Sequence, residues 1–159
     1  MVTIREATSD DVDIVYELII AIAAHHRQKQ YVVTDKNELL NSGFGESPKF
    51  GVLLAEVAGE VAGYVSYTWN YSIWLGSRYM GIDDVFVWQK FRGQRVGEAL
   101  MHKARDVSRT HGVSHIRWEV QKDNHAAIKF YQRLGATLDT KGVFRWDDVA
   151  TEINDGKAR

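Results

Sequence analysis

The residue types best suited to chemistry cluster in one stretch: Asp83-Asp84-Val85-Phe86-Val87-Trp88-Gln89-Lys90-Phe91-Arg92-Gly93-Gln94-Arg95-Val96-Gly97-Glu98-Ala99-Leu100. It opens on two adjacent carboxylates and an apolar strand. It passes through a basic, glycine-bearing turn and ends as an amphipathic helix. Such a turn aims several free backbone N–H groups and a helix N-terminus at one point. The ligand suited to that point is an anion, here read as a pyrophosphate. The plainer reading is a strand-to-helix connection in which Arg92 is a solvated charge and Gly93 and Gly97 serve packing alone. The P-loop pattern and the three-glycine dinucleotide fingerprint are both missing.

Other reactive types add little. The chain has no cysteine, which excludes disulfides, zinc-thiolate sites and cysteine nucleophiles. Of six histidines, His102, His111, His115 and His125 share no metal-like spacing. His25-His26 stand at a predicted helix end, where a cationic ring suits the dipole. No metal is expected. A net charge of −1 gives no reason to expect nucleic acid or an anionic membrane as partner. The longest apolar run, Ile14 to Ala24, is interrupted by Tyr16 and Glu17 and is too short to span a bilayer. No signal-peptide pattern opens the chain. A cytoplasmic location is the expectation.

The elements that position these residues come from periodicity. The 159 residues suit one domain, expected over 1–148 with a tail over 149–159 that lacks any period. Val2–Ala7 alternates as a strand. Thr8 or Ser9 caps a helix carrying Val12, Val15, Ile19 and Ile22 to about Ala24. A shorter helix starts at Thr34-Asp35. Phe50–Val57 and Val61–Tyr71 pair across Ala58-Gly59-Glu60, with Val61, Gly63, Val65, Tyr67 and Trp69 predicted on one face. Tyr79–Val87 is the next strand. The helix after the turn carries Val96, Leu100, Ala104, Val107 and His111. Val113–Val120 is a strand, Asp123-Asn124 caps a last helix, and Ala136–Leu138 with Val143–Asp147 reads as a closing hairpin. The order is β-α-α-β-β-β-α-β-α-β-β. It predicts a mixed α/β fold of six to seven strands in one sheet, flanked by about four helices.

Arg92-Gly93-Gln94-Arg95-Val96-Gly97 resembles the acetyl-CoA pyrophosphate loop of the GNAT acetyltransferase superfamily. Asn124-His125-Ala126-Ala127-Ile128-Lys129-Phe130-Tyr131-Gln132-Arg133-Leu134-Gly135-Ala136 resembles its second signature. Within the superfamily the chain is most similar to the spermidine/spermine (diamine) N-acetyltransferase group. Leu39–Pro48, Tyr71–Gly76, Asp83–Val87 and Ile128–Tyr131 carry that likeness, which runs to about Asp147. One departure is Arg95, where the motif usually has glycine. Its side chain is tolerated if its Cβ points away from the coenzyme. It then has the charge to contact a phosphate.

The resemblance implies acetyl transfer from acetyl-CoA to an amine, and a homodimer. An alkylammonium has a pKa near ~10, so a carboxylate must take its proton. Asp83 matches the proposed base, with Asp84 beside it. Adjacent strand residues face opposite ways unless a bulge intervenes. Tyr131 matches the acid that protonates the leaving thiolate. Backbone N–H groups around Val85, Phe86 and Val87 would polarise the thioester, freed by a local bulge. Arg92, Gly93, Gln94, Arg95, Val96, Gly97 and Glu98 would hold the pyrophosphate, and Asn124, Ala127 and Tyr131 the coenzyme arm.

On the acceptor side the resemblance points to His26, Trp74, Asp83 and Asp84. Ser72 stands where the polyamine enzymes have Asp, and the first helix ends in His25-His26-Arg27-Gln28-Lys29. That basic end argues for a small or zwitterionic amine over a long polyamine. The alternatives are a protein or peptide acetyltransferase and a non-catalytic acyl-CoA-binding module.

Overall fold

Alternation in Val2-Thr3-Ile4-Arg5-Glu6 forms strand β1 (Val2–Glu6) of the computed structural model, which describes residues 1–148. Arg5 fixes the path of the chain into the first helix. Its guanidinium donates to both Asp11 carboxylate oxygens, at 2.8 and 2.9 Å, and to Glu56 Oε1 at 2.8 Å. The Thr8 backbone N–H donates to Asp11 Oδ2 at 2.7 Å. Chiefly through the Arg5 hydrogen bonds, the Asp11 pKa falls to about 2. The predicted start at Thr8 or Ser9 is a single 3-10 turn, and helix α1 (Val12–His25) continues from it.

Helix α1 buries Val12, Val15, Leu18 and Ile22, a spacing that keeps one stripe on the sheet. Burying each such side chain is worth about 1.5–3 kcal/mol. Leu18 takes the place expected for Ile19, which sits on the flank of the stripe and is half-buried. Helix α2 (Lys36–Gly43) is capped by Asp35, whose Oδ1 accepts the Glu38 N–H at 2.8 Å.

The sheet contains β2 (Gly51–Val57), β3 (Glu60–Ser72), β4 (Ser77–Val87) and β5 (Ile116–Trp118), in the order β1-β2-β3-β4-β5. The first four are antiparallel and β5 is parallel to β4. Ala58 and Gly59 both have positive φ, as the tight β2–β3 turn requires. On β2, Val52 and Leu54 join Tyr64, Phe86 and the α1 stripe in one cluster. Leu53 and Ala55 are buried on the other face, which helix α3 (Val96–Thr110) covers with Val96, Leu100, Met101, Ala104 and Val107. The sheet is thus packed on both sides.

Two irregularities re-aim side chains. The β2–β3 register moves from Ala55↔Gly63 to Glu56↔Val61, leaving Ala62 as the extra residue. Val61 therefore packs with the α1 cluster instead of sharing the face of Val65 and Tyr67, as alternation alone predicts. The β3–β4 register moves from Ser66↔Asp84 to Tyr67↔Ile82, leaving Asp83 unopposed. Met80 and Ile82 thus share a face with Tyr67 and Trp69, while Asp84 and Phe86 turn to the α1 side with Ser66 and Tyr64.

Strand β5 is shorter than the predicted Val113–Val120. It pairs only with Met80, Gly81 and Ile82. From Asp83 onward that edge of β4 has no strand partner among the described residues.

Chain contacts cluster into two compact units, Met1–Glu119 and a second from Val120. In the second, helix α4 (His125–Arg133) is capped by Asn124, whose Oδ1 accepts the Ala127 N–H at 3.3 Å, and Gly135 at φ 89° lies just past its end. The predicted closing hairpin does not form. Ala136–Leu138 and Val143–Asp147 carry no strand pairing, and Val143, Phe144 and Trp146 are exposed. Alternation marks a segment able to pair, and pairing also needs a backbone partner. The sheet of the described residues has five strands, not six or seven. The predicted tail over 149–159 lies outside the described residues.

Candidate active site

The turn after β4 is built from its own backbone. Gln89–Phe91 form a 3-10 turn, and the Arg92 side chain folds back so that Nε donates to the Val87 carbonyl at 2.9 Å. Its guanidinium carbon lies 5.7 Å from the Phe86 ring centre, so strand end and turn are clamped together. Gln94 Nε2 donates to the Lys90 carbonyl at 3.3 Å. Gly93 and Arg95 both take the left-handed region, at φ 77° and 62°. Arg95 is the N-cap of α3 and makes no side-chain cap.

The N–H groups of Val96, Gly97 and Glu98 open the helix and lack a carbonyl one turn behind them. Left-handed residues just ahead of such a start form an anion-binding concavity. These donors fit a pyrophosphate. The Arg95 side chain is largely exposed and stands 3.9 Å from Glu98 Oε2.

The bulge on β4 lies at Asp83, not at Val85–Val87 as the resemblance suggests. Val85, Phe86 and Val87 stay paired with Val65, Tyr64 and Gly63 on one side. Their other edge is the one that β5 leaves. Asp84 Oδ2 accepts the Tyr64 hydroxyl at 2.7 Å. Tyr64 is fully buried, and burial followed by the Asp84 charge holds its phenol far above the usual range. It remains a donor. The Asp83 carboxyl is raised, first by desolvation and then by the Asp84 charge.

On the α1 face a cavity of about 190 Å³ is lined by Ile19, Ile22, Ala23, His26, Gln28, Tyr31, Val32 and Asp84. The structure thus brings His26 and Asp84 together. Asp83 adjoins this cavity in sequence without lining it. His25 lies against the Phe86 ring at 6.4 Å, and its pKa is lowered by burial and then by the Arg92 charge. Trp74 is fully exposed at the tip of the β3–β4 hairpin and does not line the cavity that holds His26 and Asp84. In the second unit Tyr131 is half-buried, and desolvation raises its phenol. Asn124 and Ala127 spend one contact on each other in the helix cap.

Sequence reasoning missed Tyr64, which could be linked to Asp84 only through the β3–β4 register. The loop Gln28–Val33 is legible in the sequence as one that narrows the acceptor mouth, and Gln28, Tyr31 and Val32 line the cavity. No group of three metal-ligating side chains occurs among the described residues, and no helix there is long and apolar enough to cross a membrane.

A mixed sheet whose two parallel strands, β4 and β5, part beside a glycine-bearing anion turn defines a class, and the sequence agrees. Residues 12–136 match the Acetyltransferase (GNAT) family, and the chain belongs to it as an N-acetyltransferase. Thialysine N-epsilon-acetyltransferase of Bos taurus is 34% identical over 98% of this chain and 98% of its own. Human spermidine/spermine N(1)-acetyltransferase-like protein 1 is 27% identical, over 90% of this chain and 21% of that protein. Among solved structures, AAC(6')-Iy in complex with the bisubstrate analogue CoA-S-monomethyl-acetylneamine superposes with a TM-score of 0.73 at 17% identity, over 92% of this chain and 98% of that one.

Proposed function

We propose that the chain transfers an acetyl group from acetyl-CoA to the primary amine of a small, zwitterionic, amino-acid-like molecule. The observation that carries this reading is the pairing of Asp84 and His26 in one cavity of about 190 Å³. A carboxylate suits an ammonium and a ring N–H can donate to a carboxylate, so the cavity can hold both ends of a short bipolar molecule. Its small volume and the Gln28–Val32 wall argue against a long polyamine and against a peptide. The bovine relative's name, with its lysine-like acceptor, supports the same direction.

Acetyl-CoA supplies the acetyl group as a thioester. The backbone N–H groups of Val96, Gly97 and Glu98, with Arg92, Gly93, Gln94 and Arg95, hold its pyrophosphate. Asn124 and Ala127 line its arm. Asp84 anchors the incoming ammonium, and Asp83, with its raised pKa, takes the proton that must leave before nitrogen can attack. A backbone N–H on the open β4 edge between Val85 and Val87 supports the thioester oxygen as charge grows there. The Tyr131 hydroxyl gives its proton to the departing sulfur, and its desolvated phenol is protonated at neutral pH.

The same reading includes a homodimer in the cytoplasm. Exposed apolar side chains at Tyr71, Ile73, Trp74 and Leu75, and separately at Val143, Phe144 and Trp146, support a second copy as partner. Light scattering on the purified chain tests it; a monomer at all concentrations overturns it.

An amine panel with acetyl-CoA, monitored by free-thiol release, tests the acceptor class. Lysine-like and thialysine-like zwitterions should exceed spermidine at least tenfold in kcat/KM. Spermidine turnover as efficient as theirs would overturn the proposal.

A further inference from the structure

A second cavity, of about 230 Å³, lies at the end of the sheet where β2 begins, and shares no lining residue with the first. Its walls include Glu6 at the end of β1, Tyr67 and Trp69 of β3, Phe44 and Phe50 between α2 and β2, and His111 just past α3. Nothing in the acetyl-transfer reading uses it.

The cavity is built on glycine. A Cβ on Gly51 would lie 2.3–2.6 Å from the Tyr67 ring, and one on Gly43 would lie 2.2–2.9 Å from the Phe50 ring. Both aromatic walls therefore rest directly on backbone. Trp69 stands edge-on to Tyr67, with ring centres 5.6 Å apart, and 4.9 Å from the His111 ring.

The polar groups present acceptors. No hydrogen bond or ion pair engages the Glu6 carboxylate among the described residues, because its neighbour Arg5 is taken by Asp11 and Glu56. His111 Nδ1 stands 2.9 Å from the Val107 carbonyl, which can only accept, so Nδ1 carries a hydrogen, and in that tautomer Nε2 is an acceptor. The buried Tyr67 phenol is held protonated, by burial first and then by the Glu6 charge, and its oxygen can accept. The carboxyl end of α3 adds negative potential beside His111. The one cation in reach of these rings among the described residues, Arg78, stacks on Trp69 at 5.3 Å but does not line the cavity.

Acceptors, one uncompensated carboxylate and aromatic walls together select a cation with N–H donors. We infer that this cavity is a second binding site, separate from the acceptor cavity, for a primary ammonium carried on a small aromatic or apolar body.

The probe is 4-fluorobenzylamine, added to the full-length protein without acetyl-CoA. Neutral 4-fluorobenzyl alcohol is its control. Binding is read from the amide signal of Gly51 and the indole N–H signal of Trp69 in ¹H–¹⁵N spectra. The amine should shift both signals saturably, and the alcohol should bind at least tenfold more weakly. Glu6→Gln should weaken the amine at least tenfold at these signals, whereas Asp84→Asn should leave them unchanged. Trp69→Leu, read at Gly51, should weaken it as well. Equal binding of amine and alcohol, or of wild type and Glu6→Gln, overturns the inference. So does loss of the Gly51 and Trp69 shifts in Asp84→Asn, which would make them an echo of the acceptor cavity.

Discussion

The Tyr64 hydroxyl is the sole hydrogen-bond donor to the Asp84 side chain among the described residues, at 2.7 Å, and it comes from a fully buried ring. The carboxylate is thereby held in place from the protein side while its remaining lone pairs are left to the cavity. Tyr64→Phe should cost about 1–3 kcal/mol of stability, read by denaturant unfolding, because a bond to a charged group is lost. It should raise the KM for the amine and leave the KM for acetyl-CoA unchanged. Equal effects on both would contradict the anchoring role.

For Asp83 the sign of the pH effect can be worked out. Its pKa is raised in the folded chain, so the folded state binds this proton more tightly than the unfolded one. Any stability from that preference exists at low pH and is lost as pH rises through the folded value. Asp83→Asn should therefore leave the chain at least as stable at neutral pH, while lowering kcat/KM about 10²-fold. The acidic limb of the pH–rate profile should flatten. A profile identical to wild type would remove Asp83 from proton transfer.

Tyr131→Phe keeps the ring and removes the proton. The expectation is a kcat lowered about 10²–10³-fold, within the range for one general acid, with acetyl-CoA binding retained. Single-turnover thiol release measures it. Unchanged turnover would mean that another group protonates the sulfur.

Arg95 sits at φ 62°, where a side chain costs about 1–2 kcal/mol relative to glycine. Glycine returns part of that through its freer unfolded chain. Arg95→Gly should thus stabilise the protein by roughly 0.5–1 kcal/mol, seen as a higher Tm. If the guanidinium also serves the pyrophosphate, acetyl-CoA affinity should fall about fivefold, close to 1 kcal/mol. An unchanged Kd would remove Arg95 from coenzyme binding.

Asp11 gives an independent acid test of the fold. Its pKa is depressed to about 2, first by the Arg5 hydrogen bonds. A depressed carboxylate stabilises above its unfolded value, near ~3.9, and the contribution disappears as pH falls towards 2. Arg5→Ala should move the acid-unfolding midpoint upward. At neutral pH it should cost about 1.5–3 kcal/mol, since Asp11 and Glu56 both lose a donor.

Much of this architecture is legible in the sequence, and the failures have physical causes. Helix α3 and its turn are readable because period, glycine and charge agree over Arg92–Val107. The first helix is readable for the same reason, with only Leu18 and Ile19 exchanged. What pattern reading cannot see is register. The two bulges, at Ala62 and Asp83, each flip the faces beyond them, and no local signal marks either one. Alternation misplaces Val61 for that reason, and it leaves Tyr64 unlinked to Asp84. Trp74 illustrates a different limit: an aromatic near a cleft in sequence reads as a wall, yet it stands at a hairpin tip in full solvent. The Val143–Asp147 segment alternates well and still lacks a strand partner, because alternation specifies a face and not a neighbour.

The parting of β4 from β5 has a consequence for how the chain behaves in company. Among the described residues, the strand edge from Asp83 to Val87 has no strand partner, and such an edge is a template on which another polypeptide could add itself. Natural edges are blunted by charge, by bulges and by brevity, and this one carries all three: two carboxylates, the irregularity at Asp83, and a length of one short strand. Asp83, assigned to proton transfer, and Asp84, assigned to anchoring the ammonium, would then also discourage aggregation. A catalytically dead variant that neutralises both carboxylates would be more prone to precipitate as well as slower.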